Sequence, residues 1–333
     1  MDVRERWRAF RGSVFYPATV VALLVSLAAG LFAGSYTAAM ANPTPHRLPI
    51  ATTAGGEPAR LVAGLEEAMD AQLDVHRYAT YAQAREAVEE QQVFGILRSL
   101  GEDGALLDVS GASGASVAQV LTETAPKVGA AVGVPVTVRD INPLQTGDPR
   151  GLAIFYISLA AVVIGFMGAI QLSVHARALN PGERVAYTAG YALLGGFMIY
   201  AAADWWLGAL TLPFPQSWLI LALTMYAAGM VFSMFNTLMG RWAIIPTWGV
   251  MVLIGNPSSG GAVSWPLLPS PLGHIGRWLP NGASVNAQHT AVYFAGYQHV
   301  FPYLVLVGWA AVSTAVFWRW RHRHPGGREV VAV

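Results

Sequence analysis

One carboxylate interrupts the long apolar stretches of this sequence. Asp204 lies inside an apolar run and is followed directly by Trp205-Trp206. A carboxylate within a membrane is costly, so such a residue suggests proton relay or contact with a transported compound. The alternative is that Asp204 lies near the outer end of its run, where the tryptophans form an interfacial belt and the carboxylate reaches water. The sequence leaves both interpretations open.

Two amide side chains lie in other apolar runs, Gln171 and Asn236. The ordinary use of such groups is a hydrogen bond between neighbouring helices, worth about 1 kcal/mol or less. The alternative for Asn236 is a position on a transport path. Asp204, Asn236 and Gln171 are therefore the candidate intramembrane polar residues.

Other reactive residue types are absent or too dispersed for catalysis. The chain has no cysteine, which excludes disulfides, thiol catalysis and thiolate metal sites. Ser258, Ser259 and Ser264 have no histidine and aspartate at a recognisable spacing, and the histidines of residues 256–300 have no acidic cluster beside them. No phosphate-cradling Gly-x-x-x-x-Gly-Lys-Ser/Thr loop is present. We therefore predict no enzymatic activity, no catalytic, cofactor or metal site, and no nucleotide-binding loop of this kind.

The composition is typical of a membrane protein. Hydrophobic residues make up 54% of the 333 residues and charged residues only 12%, whereas a soluble domain has about 25% charged residues. The mean hydropathy is +0.44. The net charge of +1 gives no indication of nucleic-acid binding. We predict an α-helical polytopic membrane protein with six transmembrane helices and an inserted extracytoplasmic α/β domain.

The apolar runs divide the chain into segments. The first run is longer than the core of a signal peptide, which favours a retained span over a cleaved leader. The fifth, at residues 242–255, is short for a span, so it is tilted in a thin region, extended at one end, or partly re-entrant. We favour a span that ends at Gly255. The predicted segments are a cytoplasmic N-terminus (1–13), a first transmembrane helix (14–41), the α/β domain (42–150), four transmembrane helices (151–255), an extracytoplasmic cap with an amphipathic helix (256–300), a last transmembrane helix (301–318) and a basic cytoplasmic tail (319–333).

Residues 42–150 contain most of the 19 acidic residues of the chain, which indicates a water-exposed domain. Short runs of strand-favouring residues alternate there with runs at helical spacing. The predicted order is β-α-β-α-β-β-α-β, with a hairpin across Gly101–Gly104. Such alternation is typical of an α/β domain.

The arginines predict the topology. The short connections on one side of the spans hold Arg177, Arg184 and Arg241, and both chain termini are basic on that side. Residues 256–300 contain only Arg277. Because cytoplasmic loops are enriched in Lys and Arg, both termini are predicted to be cytoplasmic and the α/β domain and residues 256–300 extracytoplasmic.

A dense Gly/Pro/Ser segment ends the fifth apolar run, and we call it the glycine-serine segment. Gly and Pro favour turns, and Pro257 would stop a helix. The serines are expected to hydrogen-bond freed backbone groups. We predict that the segment lies at the outer end of the fifth span and shapes the outer mouth of the membrane domain. It consists of Gly255, Asn256, Pro257, Ser258, Ser259, Gly260 and Gly261.

The layout of one span, an ectodomain and five further spans resembles that of type-2 ABC exporter permeases, in particular the phage-infection-protein-like (Pip) branch. Three short motifs carry the resemblance across nearly the whole chain. Residues 48–52 (LPIAT) are similar to the start of that family's ectodomain, residues 81–97 to its helix followed by a strand, and the glycine-serine segment with Leu279–Ala283 to its segment after the fifth span.

This resemblance implies a permease subunit that exports an amphipathic or hydrophobic compound across the plasma membrane. Such subunits pair as homodimers or with a paralogue, and a separate cytoplasmic ATPase energises them. The loop between the second and third spans would then dock the ATPase through Arg177, Asn180, Pro181, Glu183 and Arg184. The alternative function, from a different class, is a cell-envelope interaction or scaffold protein that presents the acidic ectodomain to a partner.

Overall fold

The computed structural model describes residues 3–41, 45–53 and 59–324. Helices dominate these residues, and the strands are confined to one region between the second and sixth helices. In chain order the helices are α1 (Val3–Arg11), α2 (Phe15–Met40), α3 (Ala59–Met69), α4 (Tyr81–Glu89), α5 (Ala115–Val132), α6 (Ala153–His175), α7 (Pro181–Trp206), α8 (Gln216–Trp242), α9 (Ile244–Ile254), α10 (Ser270–Ile275), α11 (Pro280–Tyr293) and α12 (Phe301–Arg323).

Within the described ranges, five helices are long and apolar enough to cross a membrane: α2, α6, α7, α8 and α12. Helix α8 is the most enclosed of them, because 67% of its most apolar window is buried against other parts of the chain. For α2 that share is 0%, so its apolar surface is available to lipid. The chain is a polytopic membrane protein.

The prediction of six transmembrane helices, the fifth of them at residues 242–255, is not confirmed. Helix α9 has five α-helical residues, and a π-helical turn of six residues completes it. At 1.5 Å per residue it extends about 16 Å, roughly half of a bilayer's hydrocarbon core. The apolar run predicted a span, but it is too short to form one as a single helix.

The strands form one mixed sheet in the order β2-β1-β3-β4-β5. The neighbouring pairs are parallel except β3 and β4, which are antiparallel across the hairpin predicted from the sequence. The order of strands and helices in this region is the one that the sequence predicts. In chain order the strands are β1 (Leu48–Thr53), β2 (Leu73–Tyr78), β3 (Gly95–Ser99), β4 (Ala105–Val109) and β5 (Val136–Asp140).

One face of the sheet packs against α3 and α5 and the other against α4. The core on the α3 and α5 side also includes Ala39, from the last turn of α2, and Val263, Leu267 and Leu268, which follow the glycine-serine segment. The α/β domain is therefore not a separate body on a linker. Parts of the membrane region complete its hydrophobic core. The end of the helical bundle that lies beside the α/β domain is called the domain end below.

Helix α11 corrects a second expectation. The sequence predicts an amphipathic helix at the outer interface, yet most residues of α11 are buried. One side contacts α8 and α12, with Ala283, Ala287 and Ala291 packed near Leu306. The polar side chains that predicted a solvent-facing side instead bond to polar groups of α8. The Thr224 hydroxyl donates to the Ser284 hydroxyl at 2.9 Å, and Nε2 of Gln288 donates to the Ser217 carbonyl oxygen at 2.9 Å.

The contacts of α11 give its depth in the bundle. Gln288 lies beside Ser217, at the start of α8, whereas Ser284 lies beside Thr224, seven residues further along α8. Seven residues of helix correspond to about 10 Å. The N-terminus of α11 is deeper still, near the middle of the bundle. Helix α11 therefore runs from there back to the domain end.

Candidate functional site

The glycine-serine segment connects α9, in the interior of the bundle, with the α/β domain. Met251, in the last turn of α9, packs among α6 and α8 residues near the middle of both helices. At the other end of the segment, Gly261 lies against Phe155, close to the start of α6. Residues 255–259 are buried. The structure thus places this segment inside the half of the bundle nearer the α/β domain, not at the surface of the bundle.

Irregular backbone is tolerated at this depth only where its polar groups are satisfied. The Ser258 hydroxyl donates to the Ile254 carbonyl oxygen at 2.7 Å, and the Ser258 amide donates to the same oxygen at 3.2 Å. The indole of Trp265 donates to the Ser258 carbonyl oxygen at 3.1 Å. The bond from the Ser258 amide continues the helical pattern, and the Ser258 hydroxyl and the Trp265 indole add donors to carbonyl oxygens where the helix ends.

Asn281 connects the N-terminus of α11 to the end of α9. Its Nδ2 donates to the Met251 carbonyl oxygen at 2.9 Å and also to Oδ1 of Asn256. All three residues are buried. Two half-length helices, α9 and α11, therefore meet in the interior of the bundle through a pair of amides.

Close backbone approach at this junction requires glycine. A Cβ at Gly276 would overlap the Ser258 carbonyl oxygen, which packs directly over it. Gly260 has a φ of +80°, in the left-handed region that glycine adopts without strain, and the ring of Trp265 covers it. These contacts hold residues 276–279 against the glycine-serine segment.

A cavity of about 1180 Å³ opens where the α/β domain meets the bundle, and we call it the junction cavity. The segment between α2 and β1, the turn after α4, residues 265–278, the start of α11 and the start of α12 all contribute to its walls. Its volume is above the range of 300–1,000 Å³ that is usual for small-molecule sites. It is large enough for an organic molecule of substantial size.

A second cavity of about 60 Å³ adjoins the first and shares Gln91, Phe94, Ser113, Trp265 and Asn286 with it. Gly260 and Gly261 of the glycine-serine segment line this smaller space. Two atoms at the shared wall are buried without a hydrogen-bond partner, Nε2 of Gln91 and Oδ1 of Asn286. One can donate and the other can accept, so the wall offers unused polar groups to a water or to a bound molecule.

The charged lining of the junction cavity is mainly basic. Arg47 and Arg277 line it, together with three histidines, and Asp70 is the one carboxylate among the described lining residues. The Arg277 guanidinium lies 4.9 Å from the centroid of the Trp265 ring. Arg277 is exposed, and an arginine side chain stays protonated in proteins. A fixed positive charge therefore faces the cavity over an aromatic ring.

Direct hydrogen bonds fix the α/β domain on this side of the bundle. The Ser264 amide donates to the Ser116 hydroxyl at 2.9 Å, and that hydroxyl also lies 2.9 Å from the Ser264 hydroxyl. The His46 amide donates to the Pro266 carbonyl oxygen at 2.7 Å. The walls of the cavity are thus held in place by both parts of the protein.

Asp204 lies in the π-helical turn that ends α7, and its side chain is half-buried. The carboxylate accepts a hydrogen bond from the Leu212 amide at 2.9 Å. The neighbouring Trp205 and Trp206 are 60% and 70% exposed. This geometry favours the interfacial interpretation, in which Asp204 orders the connection to α8.

Gln171 and Asn236 do not join Asp204 in one site. Gln171 is exposed in the last turns of α6, and Asn236 is half-buried in the last turns of α8. Both positions are at the end of the bundle opposite the domain, whereas Asp204 lies at the domain end. The three residues are separated by most of the length of the helices.

The α6–α7 connection is short and ordered by its own residues. The Asn180 amide donates to Oε2 of Glu183 at 3.0 Å, and Pro181 occupies the first turn of α7. Arg184 is buried and donates to the Ala176 carbonyl oxygen at 3.2 Å. Of the five candidate docking residues, only Arg177 and Asn180 are exposed. Glu183 and Arg184 thus contribute to the shape of the loop.

The sequence did not predict the junction cavity, because its walls come from segments far apart in the chain. In the sequence, Arg277 serves only as the single arginine of residues 256–300 in the prediction of topology. Its isolation among apolar and aromatic residues is the one feature of the sequence that indicates a further role.

Comparisons with family models, with curated proteins and with solved structures found no match to this chain. The fold and the site together define a polytopic membrane protein with an α/β domain docked on its helical bundle. The junction between the two encloses a basic, aromatic cavity.

Proposed function

We propose that the protein is the permease subunit of an exporter that moves an amphipathic or hydrophobic compound out of the cytoplasm or the membrane. It acts in the plasma membrane with both termini cytoplasmic, as a homodimer or with a paralogue. A separate ATPase supplies the energy. The sequence resemblance and the geometry of the site each support this proposal.

The junction cavity, which the half-length helix α11 helps to line, is the observation that carries this proposal. Helices that end within a bundle leave polar backbone groups in its interior, and in transporters such breaks commonly lie beside the substrate site. Here α9 and α11 meet through Asn281 near the middle of the bundle. The glycine-serine segment then leads from this point to the wall of the cavities. A protein that used its helices only as an anchor would not need such an arrangement.

The α6–α7 connection is the proposed docking site for the ATPase. It presents the exposed residues Arg177 and Asn180 on a frame fixed by Glu183 and Arg184. An ATPase that binds there would transmit force directly to α6 and α7, since the connection is only a few residues long.

Co-purification from the native host, followed by transport assays in proteoliposomes, tests the proposal. We expect an ATPase to co-purify with the wild-type protein and to be lost in Arg177→Glu. The matched control is Arg60→Glu, which reverses an exposed charge on the α/β domain and should retain the ATPase. If no ATPase co-purifies and no compound moves in proteoliposomes, the transport proposal is wrong. Recovery of only envelope proteins by proximity labelling from the α/β domain would then favour the scaffold function.

A further inference from the structure

We infer that the junction cavity binds an anionic amphiphile, with its charged group beside Arg277 and its hydrocarbon chain toward Trp278 and Phe301. That this compound is the one transported rests on the proposed function. The binding itself does not.

The position of Arg277 supports an anionic group. Its guanidinium is stacked on Trp265, and no carboxylate of the described residues lies within ion-pair distance of it. Arg277 is an exposed residue of the cavity wall, so its guanidinium is accessible to a ligand. The histidines and Arg47 in the same walls add hydrogen-bond donors. An acidic group on a ligand would pair with the Arg277 guanidinium, and a charge-assisted hydrogen bond of this kind is among the stronger polar interactions.

Apolar side chains beside Arg277 line the cavity near the start of α12. Trp278 and Phe301 line the cavity with their rings in edge contact, 4.8 Å between centroids. Trp278 is 63% exposed, and the adjacent Ile275 and Val300 are 48% and 67% exposed. Exposed apolar side chains in such a group mark a surface that contacts lipid or an apolar ligand.

The position of Trp278 places this part of the cavity beside the lipid. The Trp309 indole donates to the Trp278 carbonyl oxygen at 2.8 Å, and Trp309 is eight residues beyond the start of α12. Eight residues of helix correspond to about 12 Å. Because a helical side chain leans toward the N-terminus of its helix, and because the Trp278 ring contacts Phe301, residues 276–278 lie beside the first turns of α12. This helix is long and apolar enough to cross a membrane. A molecule with a hydrocarbon chain can reach the cavity laterally from the bilayer, while its charged group meets Arg277.

Competitive photo-crosslinking measures this binding without nucleotide or an ATPase. The probe is dodecyl phosphate with a diazirine at the end of its chain, applied to purified protein in phosphatidylcholine nanodiscs. We expect crosslinks within residues 275–302. Unlabelled dodecyl phosphate should compete at a concentration at least about tenfold below that of dodecanol or dodecyltrimethylammonium. Inorganic phosphate should not compete, since it lacks the chain.

Variants identify the charge that is responsible. Arg277→Gln should weaken competition by dodecyl phosphate about tenfold or more, the loss expected for one hydrogen bond to a charged group. Arg277→Lys should retain most of the binding. The control is Arg241→Gln, because Arg241 also lies over a tryptophan, 5.3 Å from the Trp242 ring centroid, but at the opposite end of α8. Its binding should equal that of the wild type, and all variants should elute as monodisperse proteins.

The inference is overturned by no preference for the anionic competitor, by wild-type binding in Arg277→Gln, or by crosslinks only outside the cavity walls. Equal competition by inorganic phosphate would show a site for free anions and contradict the amphiphile. Preferential binding of dodecyl phosphate by a protein that transports nothing would overturn the transport proposal alone. Transport of compounds without regard to charge would overturn this inference alone.

Discussion

At the scale of single residues, the interior of the bundle depends on polar side chains that satisfy broken backbone. Asn281 and Ser258 each bond a carbonyl oxygen of α9, Met251 and Ile254 respectively. An unsatisfied polar group in this environment costs more than the bond contributes, because no water is present to replace the lost partner. The sequence predicts such a role for Ser258 but not for Asn281.

Replacement of Asn281 tests this role. Asn281→Ala leaves the Met251 carbonyl oxygen and the Asn256 amide without their partner, so we expect a loss of about 1–3 kcal/mol and a lower thermal unfolding midpoint. The control is Asn286→Ala on the same helix. Oδ1 of both asparagines has no partner among the described residues, but of the two only Asn281 donates through Nδ2 to another described residue, so Asn286→Ala should change the midpoint little. Equal effects of the two substitutions would contradict the role assigned to Asn281.

At the scale of elements, the sequence predicted the long helices and the α/β domain better than the segment between them. A long apolar run usually forms a transmembrane helix, and an alternation of strand and helix patterns usually forms an α/β domain. Residues 242–300 have no such single solution. A polar stripe such as Ser284 and Gln288 gives the same sequence pattern whether it faces water or the polar groups of another helix. The Gly/Pro/Ser composition of residues 255–261 marked a break in the helix but contained no information on its depth.

Cysteine accessibility distinguishes a buried α11 from one at a wet interface, and the chain has no native cysteine to interfere. A cysteine in place of Gln288 should stay unreactive toward a water-soluble maleimide, since Gln288 is fully buried between α11 and α8. Ala295→Cys, just beyond the helix, should react because this position is exposed. Rapid modification of Gln288→Cys in folded protein would restore the amphipathic interpretation.

At the scale of the whole molecule, the junction cavity connects the fold to the proposed function. The domain core includes residues of α2 and of the segment after residue 261, and hydrogen bonds at Ser264 and Pro266 join the two parts. A movement of the helices would therefore change the walls of the cavity. None of this was visible in the sequence, because residues about 150 positions apart, such as Ser116 and Ser264, meet only in the folded chain.

Efflux from cells of the native host tests the central claim most directly. A deletion strain is complemented with the wild type, with Arg277→Gln or with the control Arg241→Gln, and each strain is loaded with a fluorescent anionic amphiphile. We predict rapid efflux with the wild type and the control, and a loss of about tenfold or more in the initial rate with Arg277→Gln. Efflux at the same rate in the deletion strain as in the complemented strain, or at the wild-type rate in Arg277→Gln, would contradict the assignment of the junction cavity as the transport site.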